Sequence, residues 1–384
     1  LLNNGSKTTS STFNYNANFS LTYDFPLLKG LSFKMNYGIS QNSSKTEQGM
    51  FAQTLYRANN IHTVGNHLYS PTTSLWDFAV NRSNTRVTYD NSTGKGQQLN
   101  FFVNYDKKIG DHSISGMFST EKSINNYDYT FLIYDNPIPG AYNGTSSSAG
   151  TLNTSNSYTN RTESGNLSYL GRLSYNYKSK YMLQAIFRWD ASTVFAPENY
   201  WGFFPGLSAG WVISDEDWFR DNVSWVDFLK VRASVGRTGN NNVKAWKWMQ
   251  LYKYEQDKGF GFGNNGGLYV PGITPEVAPN RDIKWDKTDQ RNIGLDVSLL
   301  KNRLSLTFDA YLNNSKDVLT VMSSAINVPI SVGGAFAEEN YSAIRAWGTE
   351  VSATWRGSSR DFKYSIGANF GWGDNKVLKY IDQP

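Results

Sequence analysis

Phe13-Asn14-Tyr15-Asn16-Ala17-Asn18-Phe19-Ser20-Leu21-Thr22-Tyr23-Asp24-Phe25 alternates an apolar or aromatic residue with a polar one at nearly every step. Successive side chains on a β-strand point to opposite faces, so such a segment has one greasy wall and one wet wall. After a short connection at Leu27–Gly30 the alternation resumes, with Leu31, Phe33, Met35, Tyr37 and Ile39 set against Ser32, Lys34, Asn36 and Gly38. Together the two segments predict a hairpin of unusually long strands.

The same period returns at 99–105, 167–177, 181–189, 229–235, 293–299, 304–312 and 362–372. A soluble sandwich would show this alternation too, so two further features decide. The alternating runs reach about 11–15 residues, whereas soluble strands are mostly about 5–6 and strands that cross a bilayer at a tilt need about 9–11. The connections also alternate in length. Short ones lie at Leu27–Gly30, Asp106–Asp111, Lys178–Lys180, Leu300–Asn302 and Gly357–Arg360, with a medium one at Ser214–Trp225. Long ones lie between them, near 41–96, 124–162, 191–204, 238–284 and 315–343. Short turns at one end and long loops at the other mark outer-membrane barrels. The predicted fold is therefore all-β: about twelve strands of an antiparallel transmembrane β-barrel. Its greasy set faces lipid and its Ser/Thr/Asn/Lys/Arg set faces a wet lumen, because a sheet in lipid has to close on itself. Tyr23, Tyr177, Tyr181, Trp189, Trp211 and Trp355, near strand ends, are expected to form an aromatic girdle at headgroup level.

Composition agrees. The 384 residues are 15% aromatic but only 39% hydrophobic, with a mean hydropathy of −0.51. The longest apolar run, Tyr181–Phe187, is far short of a helical span. The net charge of +5 is scattered rather than gathered into a basic helix or stripe, which argues against nucleic acid. Cysteine is absent, so disulfides, thiolate metal sites and thiol catalysis are excluded. The opening Leu-Leu-Asn-Asn-Gly has no charged and apolar pattern of a signal peptide.

No motif with a catalytic mechanism is present, and the expected role is not enzymatic. His62 and His67 match no zinc spacing, and no metal or other cofactor is expected. Gly259–Gly267 lacks the Lys-Ser/Thr of a phosphate loop. Asp90-Asn91-Ser92-Thr93-Gly94 lacks the later Glu of a calcium loop. Asp215-Glu216-Asp217 is expected to cap a short helical turn running into Trp218-Phe219. The loop aromatics are better candidates for binding. Tyr200, Trp201, Trp246, Trp248, Tyr252 and Tyr254 offer flat rings beside Asn and Gly, the chemistry of a sugar- or peptide-binding mouth.

Four blocks carry a family resemblance. They are Arg188-Trp-Asp190-Ala-Ser192-Thr-Val-Phe195 with Trp201-Gly-Phe-Phe-Pro205-Gly-Leu-Ser208-Ala-Gly210-Trp211; Leu229-Lys-Val-Arg232-Ala-Ser234-Val-Gly236-Arg-Thr238-Gly-Asn240; Trp285-Asp-Lys-Thr288-Asp-Gln-Arg-Asn292-Ile-Gly294-Leu-Asp296; and Asn340-Tyr-Ser-Ala-Ile344-Arg-Ala-Trp-Gly348-Thr-Glu350. In order and spacing these resemble the barrel of SusC-family TonB-dependent outer-membrane transporters of Bacteroidetes. Ala191, Gly206, Ser342 and Ala346 depart from the family's usual residues. The resemblance implies a 22-stranded, plugged barrel, of which 1–384 would be a portion lacking signal peptide, plug and final strands. It implies TonB-dependent import of an oligosaccharide or similarly bulky nutrient, with an oligopeptide or a passive pore as alternatives. The implied partners are a SusD-like lipoprotein, the TonB–ExbB–ExbD complex acting through the plug, and outer-membrane lipid.

Overall fold

The computed structural model of the chain describes residues 7–51, 53–58, 76–82, 85–138, 150–243, 245–255, 259, 272–275, 278–321, 338–359 and 361–380. In chain order the strands are β1 (Lys7–Asp24), β2 (Leu31–Met50), β3 (Gln53–Ala58), β4 (Trp76–Arg82), β5 (Arg86–Ile109), β6 (His112–Asp135), β7 (Thr151–Leu152), β8 (Tyr158–Tyr177), β9 (Tyr181–Ser192), β10 (Trp201–Val212), β11 (Val226–Asn240), β12 (Tyr252–Glu255), β13 (Gly272–Pro275), β14 (Asp286–Leu299), β15 (Leu304–Val321), β16 (Glu338–Ser359) and β17 (Phe362–Lys379). One short helix, α1 (Asp217–Arg220), precedes β11.

A single sheet carries the order β1-β2-β5-β6-β8-β9-β10-β11-β14-β15-β16-β17, with β7 added beside β6; β3–β4 and β12–β13 form separate ribbons. Among the described residues the order is a meander interrupted only by these ribbons, and each pairing along the path from β8 to β17 is antiparallel. This is the all-β antiparallel fold that the alternation predicts.

Register fixes the faces. One rung across eight strands reads Tyr177, Tyr181, Trp211, Val231, Leu295, Phe308, Val351, Phe370. One residue over, on the other face, the rung reads Asn176, Met182, Gly210, Arg232, Gly294, Asp309, Glu350, Gly371. A slip of one residue would exchange the two sets, so the hydrophobic pattern pins the register. Many of the largest side chains on the apolar face are exposed, among them Trp189, Leu207, Val235, Ile293 and Phe370. Such a face needs a covering medium.

By contacts the chain divides into two compact units. The first comprises Leu1–Ala17, Gly38–Gln97 and Asn125–Glu163. Here the strands run on through polar residues. The Ser43 and Thr93 hydroxyls hydrogen-bond at 3.0 Å, those of Ser10 and Thr46 at 3.1 Å, and the Tyr129 hydroxyl donates to Asp90 at 3.2 Å. Its small core is Phe51 and Val87, with Tyr89 against them. These strands correct the loop boundaries read from sequence: β2 continues to Met50, β5 begins at Arg86, β6 continues to Asp135 and β8 begins at Tyr158. Alternation of apolar residues was the signal used, and it fades where both faces are wet, whereas the backbone ladder does not need it. Asp90 accordingly lies in a strand, not in an ion-binding loop.

The second unit comprises Asn18–Tyr37, Gln98–Ile124 and Ser164–Pro384. Its buried core is small, namely Phe195, Phe204, Ile283 and Trp285, packed by Val194, Tyr200, Val243 and Leu319. Burial of each of these side chains is worth about 1.5–3 kcal/mol. This cluster lies where the longer connections leave the sheet, whereas buried Val212 lies at the short-turn end.

At the short-turn end, Glu216 is the residue before α1. The expectation that the acidic trio caps this turn needs correction, since no side-chain cap bond is made. The Glu216 carboxylate instead accepts from the Tyr181 hydroxyl at 2.6 Å and the Trp211 indole at 3.0 Å, and Lys180 lies 3.4 Å away. The Tyr181 hydrogen bond is the main reason its carboxyl is held below the usual carboxylate range, with Trp211 and Lys180 adding to it. The carboxylate thus ties the polar tips of two girdle aromatics to the turn.

Candidate functional site

Two features of the second unit can meet a solute: the polar face of the sheet and the platform at its long-connection end.

On the polar face, Arg232 of β11 spans three strands. Its guanidinium donates to both carboxylate oxygens of Asp309 at 2.7 and 2.6 Å and to Asp296 at 3.1 Å. It lies flat across Gly294, where an added Cβ would sit 2.4 Å from the guanidinium carbon. Glycine is therefore required there for the bidentate geometry. A second centre is Arg188, which grips Asp190 at 2.9 and 3.1 Å and reaches Ser168 at 3.4 Å, with Glu121 at 3.8 Å. Between these centres the rung Ser174, Gln184, Ser208, Ser234, Asn292, Tyr311 carries hydroxyls, amides and one phenol. Open cavities of about 760 Å³ and 660 Å³ lie along this face, both lined by Gln184, Ser208, Ser234 and Asn292. Their chemistry is hydrogen bonding to polar solutes, with Lys107, Lys108 and Lys230 adding positive charge to the first and Glu350 negative charge to the second.

The platform is a clamp of connections over the Phe195–Trp285 core. The Trp285 indole donates to the Tyr200 carbonyl at 2.9 Å, and Asn199 donates to the Arg281 carbonyl at 2.8 Å. Arg281 makes a two-point bond to Glu198 at 2.9 and 3.1 Å, which holds that carboxyl below its ordinary range. Asn340 accepts from the Lys284 amide at 2.8 Å and donates to the carbonyls of Lys284 and Asp317 at 2.8 and 2.7 Å. One side chain on β16 thereby joins the connection before β14 to the far end of β15.

The aromatics expected to bind ligand fall into separate places. Tyr200 packs against the platform core. Trp201 lies on the apolar face, stacked on Tyr169 at 5.9 Å and beside Trp189 at 4.7 Å, a setting that suits the girdle. Trp246 and Trp248 are neighbours, with ring centroids 6.2 Å apart. Trp248 also carries the Arg281 guanidinium over its ring at 5.4 Å, and its buried indole Nε1 has no hydrogen-bond partner among the described residues. Tyr252 is exposed on β12, and Tyr254 belongs to the same strand with its side chain outside the described residues. The structure therefore brings together Trp246, Trp248 and Arg281 but separates Trp201 from them. His62, His67 and all of Gly259–Gly267 but Gly259 lie outside the described residues. Among the described residues no three His, Cys, Asp or Glu gather as a metal site would require.

Arg232, Asp296, Asp309, Arg188 and Asn340 were missed as functional candidates. Charged residues in the polar phase of adjacent strands were the available signal, but only the register shows which of them meet.

Residues 2–383 match the family described as TonB dependent receptor-like, beta-barrel. The chain belongs to this family. It is a β-barrel protein of the outer membrane, its apolar face set against lipid and its polar face against the lumen. The chain is 28% identical over 389 residues to TonB-dependent receptor P39 of Formosa agariphila, a match covering 100% of the chain and 33% of that protein. It is 30% identical over 217 residues to the TonB-dependent receptor SusC of Bacteroides thetaiotaomicron, covering 56% of the chain and 21% of SusC. Among solved structures, the RagAB peptide transporter superposes with a TM-score of 0.77 at 19% identity, covering 100% of this chain and 38% of that one. The chain thus spans about a third or less of the length of these relatives. The resemblance to SusC-type barrels read from the four sequence blocks is borne out.

Proposed function

We propose that this chain supplies wall, lumen lining and part of the outer platform of a TonB-dependent importer of bulky polar nutrients, an oligosaccharide or an oligopeptide. The observation that carries the reading is the contrast between the two faces across eight strands: an unbroken apolar rung from Tyr177 to Phe370, and beside it on the other face a rung from Asn176 to Gly371 in which Met182 is the one apolar side chain larger than glycine. A polar lumen lined by hydroxyls and amides gives a hydrated solute many weak hydrogen-bonding partners. Among the described residues β1 pairs only with β2, and β17 only with β16. Unpaired edges are not tolerated in lipid, so further strands would complete the barrel. A plug, on which the TonB–ExbB–ExbD complex would pull, and a SusD-like lipoprotein over the outer loops complete the scheme by analogy with the family. The Trp246–Trp248–Arg281 group, with the Trp246 ring exposed, is the favoured contact for sugar or peptide faces.

The test is uptake by cells expressing the full-length protein, followed with labelled oligosaccharides and oligopeptides. Uptake should stop when the proton gradient is collapsed and should fall when Trp246 and Trp248 are replaced by Ala. Uptake that survives loss of the gradient would make the barrel a passive pore. Uptake that ignores the tryptophan changes would remove the platform from ligand capture.

A further inference from the structure

The apolar face does not end evenly. On β14 to β17 its last rung free of charge is Ile293, Ala310, Thr349, Trp372. The next reads Arg291, Leu312, Trp347, Asp374, and the one beyond it Arg237, Asp289, Asn314, Arg345, Lys376. Lys287 and Lys316 face each other one step further on. All of these share the face that meets lipid, and all lie toward the long connections, the extracellular end of barrels of this family.

Six cations, Arg237, Lys287, Arg291, Lys316, Arg345 and Lys376, thus share this part of the face with two carboxylates, Asp289 and Asp374. Asp289 is already engaged twice, by Arg237 at 2.7 Å and Lys316 at 3.6 Å. Arg345 donates to the neutral Asn314 at 2.8 Å. Lys287, Arg291 and Lys376 make no ion pair among the described residues. Like charges directly opposite each other on a sheet are destabilising, and in the Lys287–Lys316 pair Asp289 relieves only Lys316, by a carboxylate it already shares with Arg237. At the other end of the same strands this face carries no charge: the rung Leu299, Leu304, Trp355, Ile366 is followed on β16 and β17 by Gly357 with Tyr364 and Ser359 with Phe362. The cations therefore mark one leaflet, not both.

We infer that this row is a docking surface for the phosphate groups of a phosphorylated glycolipid in the outer leaflet. The acyl chains would lie on the Ile293–Phe308–Phe370 wall below, and the headgroup phosphates would sit among Lys287, Arg291, Lys316, Arg345 and Lys376. Fixed cations at the border of an apolar band are what an amphiphile with an anionic head requires. The inference rests on the outer-membrane setting and is independent of which nutrient is carried.

The full-length protein, purified in detergent, would be mixed with phosphatidylcholine vesicles containing either bisphosphorylated lipid A or the same lipid enzymatically dephosphorylated. Lipid carried along would be counted by native mass spectrometry. Retention of the phosphorylated form should exceed that of the dephosphorylated form by about tenfold or more, and should weaken as salt is raised. The triple variant Lys287→Gln, Lys316→Gln, Arg345→Gln should lose that preference while keeping the heat-modifiable gel mobility of a folded barrel. Equal retention of the two lipids by the unaltered protein would overturn the inference without reliance on any variant. So would displacement of the lipid by inorganic phosphate alone, which would reveal a free-anion site instead. Nutrient uptake, read separately, tells failure here apart from failure of the transport reading.

Discussion

Replacing Arg232 with Met leaves Asp296 and Asp309 side by side on the polar face without their shared cation. In a dry interior, breaking such an arrangement costs about 3–5 kcal/mol. Here the side chains are 33% exposed for Arg232, 28% for Asp296 and 19% for Asp309. Lumen water and salt therefore screen part of the loss, and the expected penalty falls to about 2 kcal/mol. It is local, so it should appear as easier opening of β11, β14 and β15. Hydrogen–deuterium exchange of the full-length protein in detergent reads this directly. Amides at 229–236, 292–298 and 305–311 should exchange about thirtyfold faster, the factor that ~2 kcal/mol represents. Strands β8 and β9 should be unaffected. The double variant Arg232→Met, Asp309→Asn should recover part of the protection, because the stranded charge is gone. Unchanged exchange in the single variant would refute the reasoning: it would mean that lumen water replaces the guanidinium at no cost.

Gly294→Ala places a methyl group where the Arg232 guanidinium lies. It should reproduce much of the Arg232→Met effect and add little to it when the two are combined. Full additivity in exchange would uncouple the glycine from the ion cluster. Asn340→Ala removes the side chain that joins the connection at Lys284 to β15 at Asp317. It should cost about 2 kcal/mol locally and expose 278–286 to trypsin, and an unchanged cleavage pattern would count against the clamp. Glu216 gives a pH signature. Its folded carboxyl lies below the ordinary value of 4.5, so its stabilising contribution is present above that value and is lost as pH falls through the folded one. The thermal stability of Glu216→Gln should lie below that of the parent at neutral pH and converge with it only in acid below pH 4.5. Convergence at a higher pH would mean that the Tyr181 and Trp211 bonds do not hold the charge.

The sequence by itself determined the strands that cross the bilayer and the side of each that is greasy. That information is local: period two, long runs and turn residues are legible one segment at a time, as in Phe13–Phe25 or Phe362–Trp372. It also placed Tyr177, Tyr181 and Trp211 among the girdle aromatics, since residues near a short turn have few places to go. It did not reveal how far β2, β5, β6 and β8 continue beyond the greasy band. Backbone pairing sustains a strand in water without any apolar signal, and only neighbouring chain shows that the pairing is made.

The site was decided by tertiary structure. Arg232, Asp296 and Asp309 lie far apart along the chain, and nothing short of the β11–β14–β15 register makes them one cluster. Tyr200 and Trp201 are adjacent in sequence yet part company, one into the platform core and the other onto the lipid face, because consecutive side chains diverge as β10 begins. The cation row is the same case. Its members are scattered from 237 to 376 and read as ordinary surface charge until antiparallel pairing lays them side by side. Composition and period are properties of a segment, but adjacency across a sheet belongs to the register, and register is fixed only when every strand has found its neighbours.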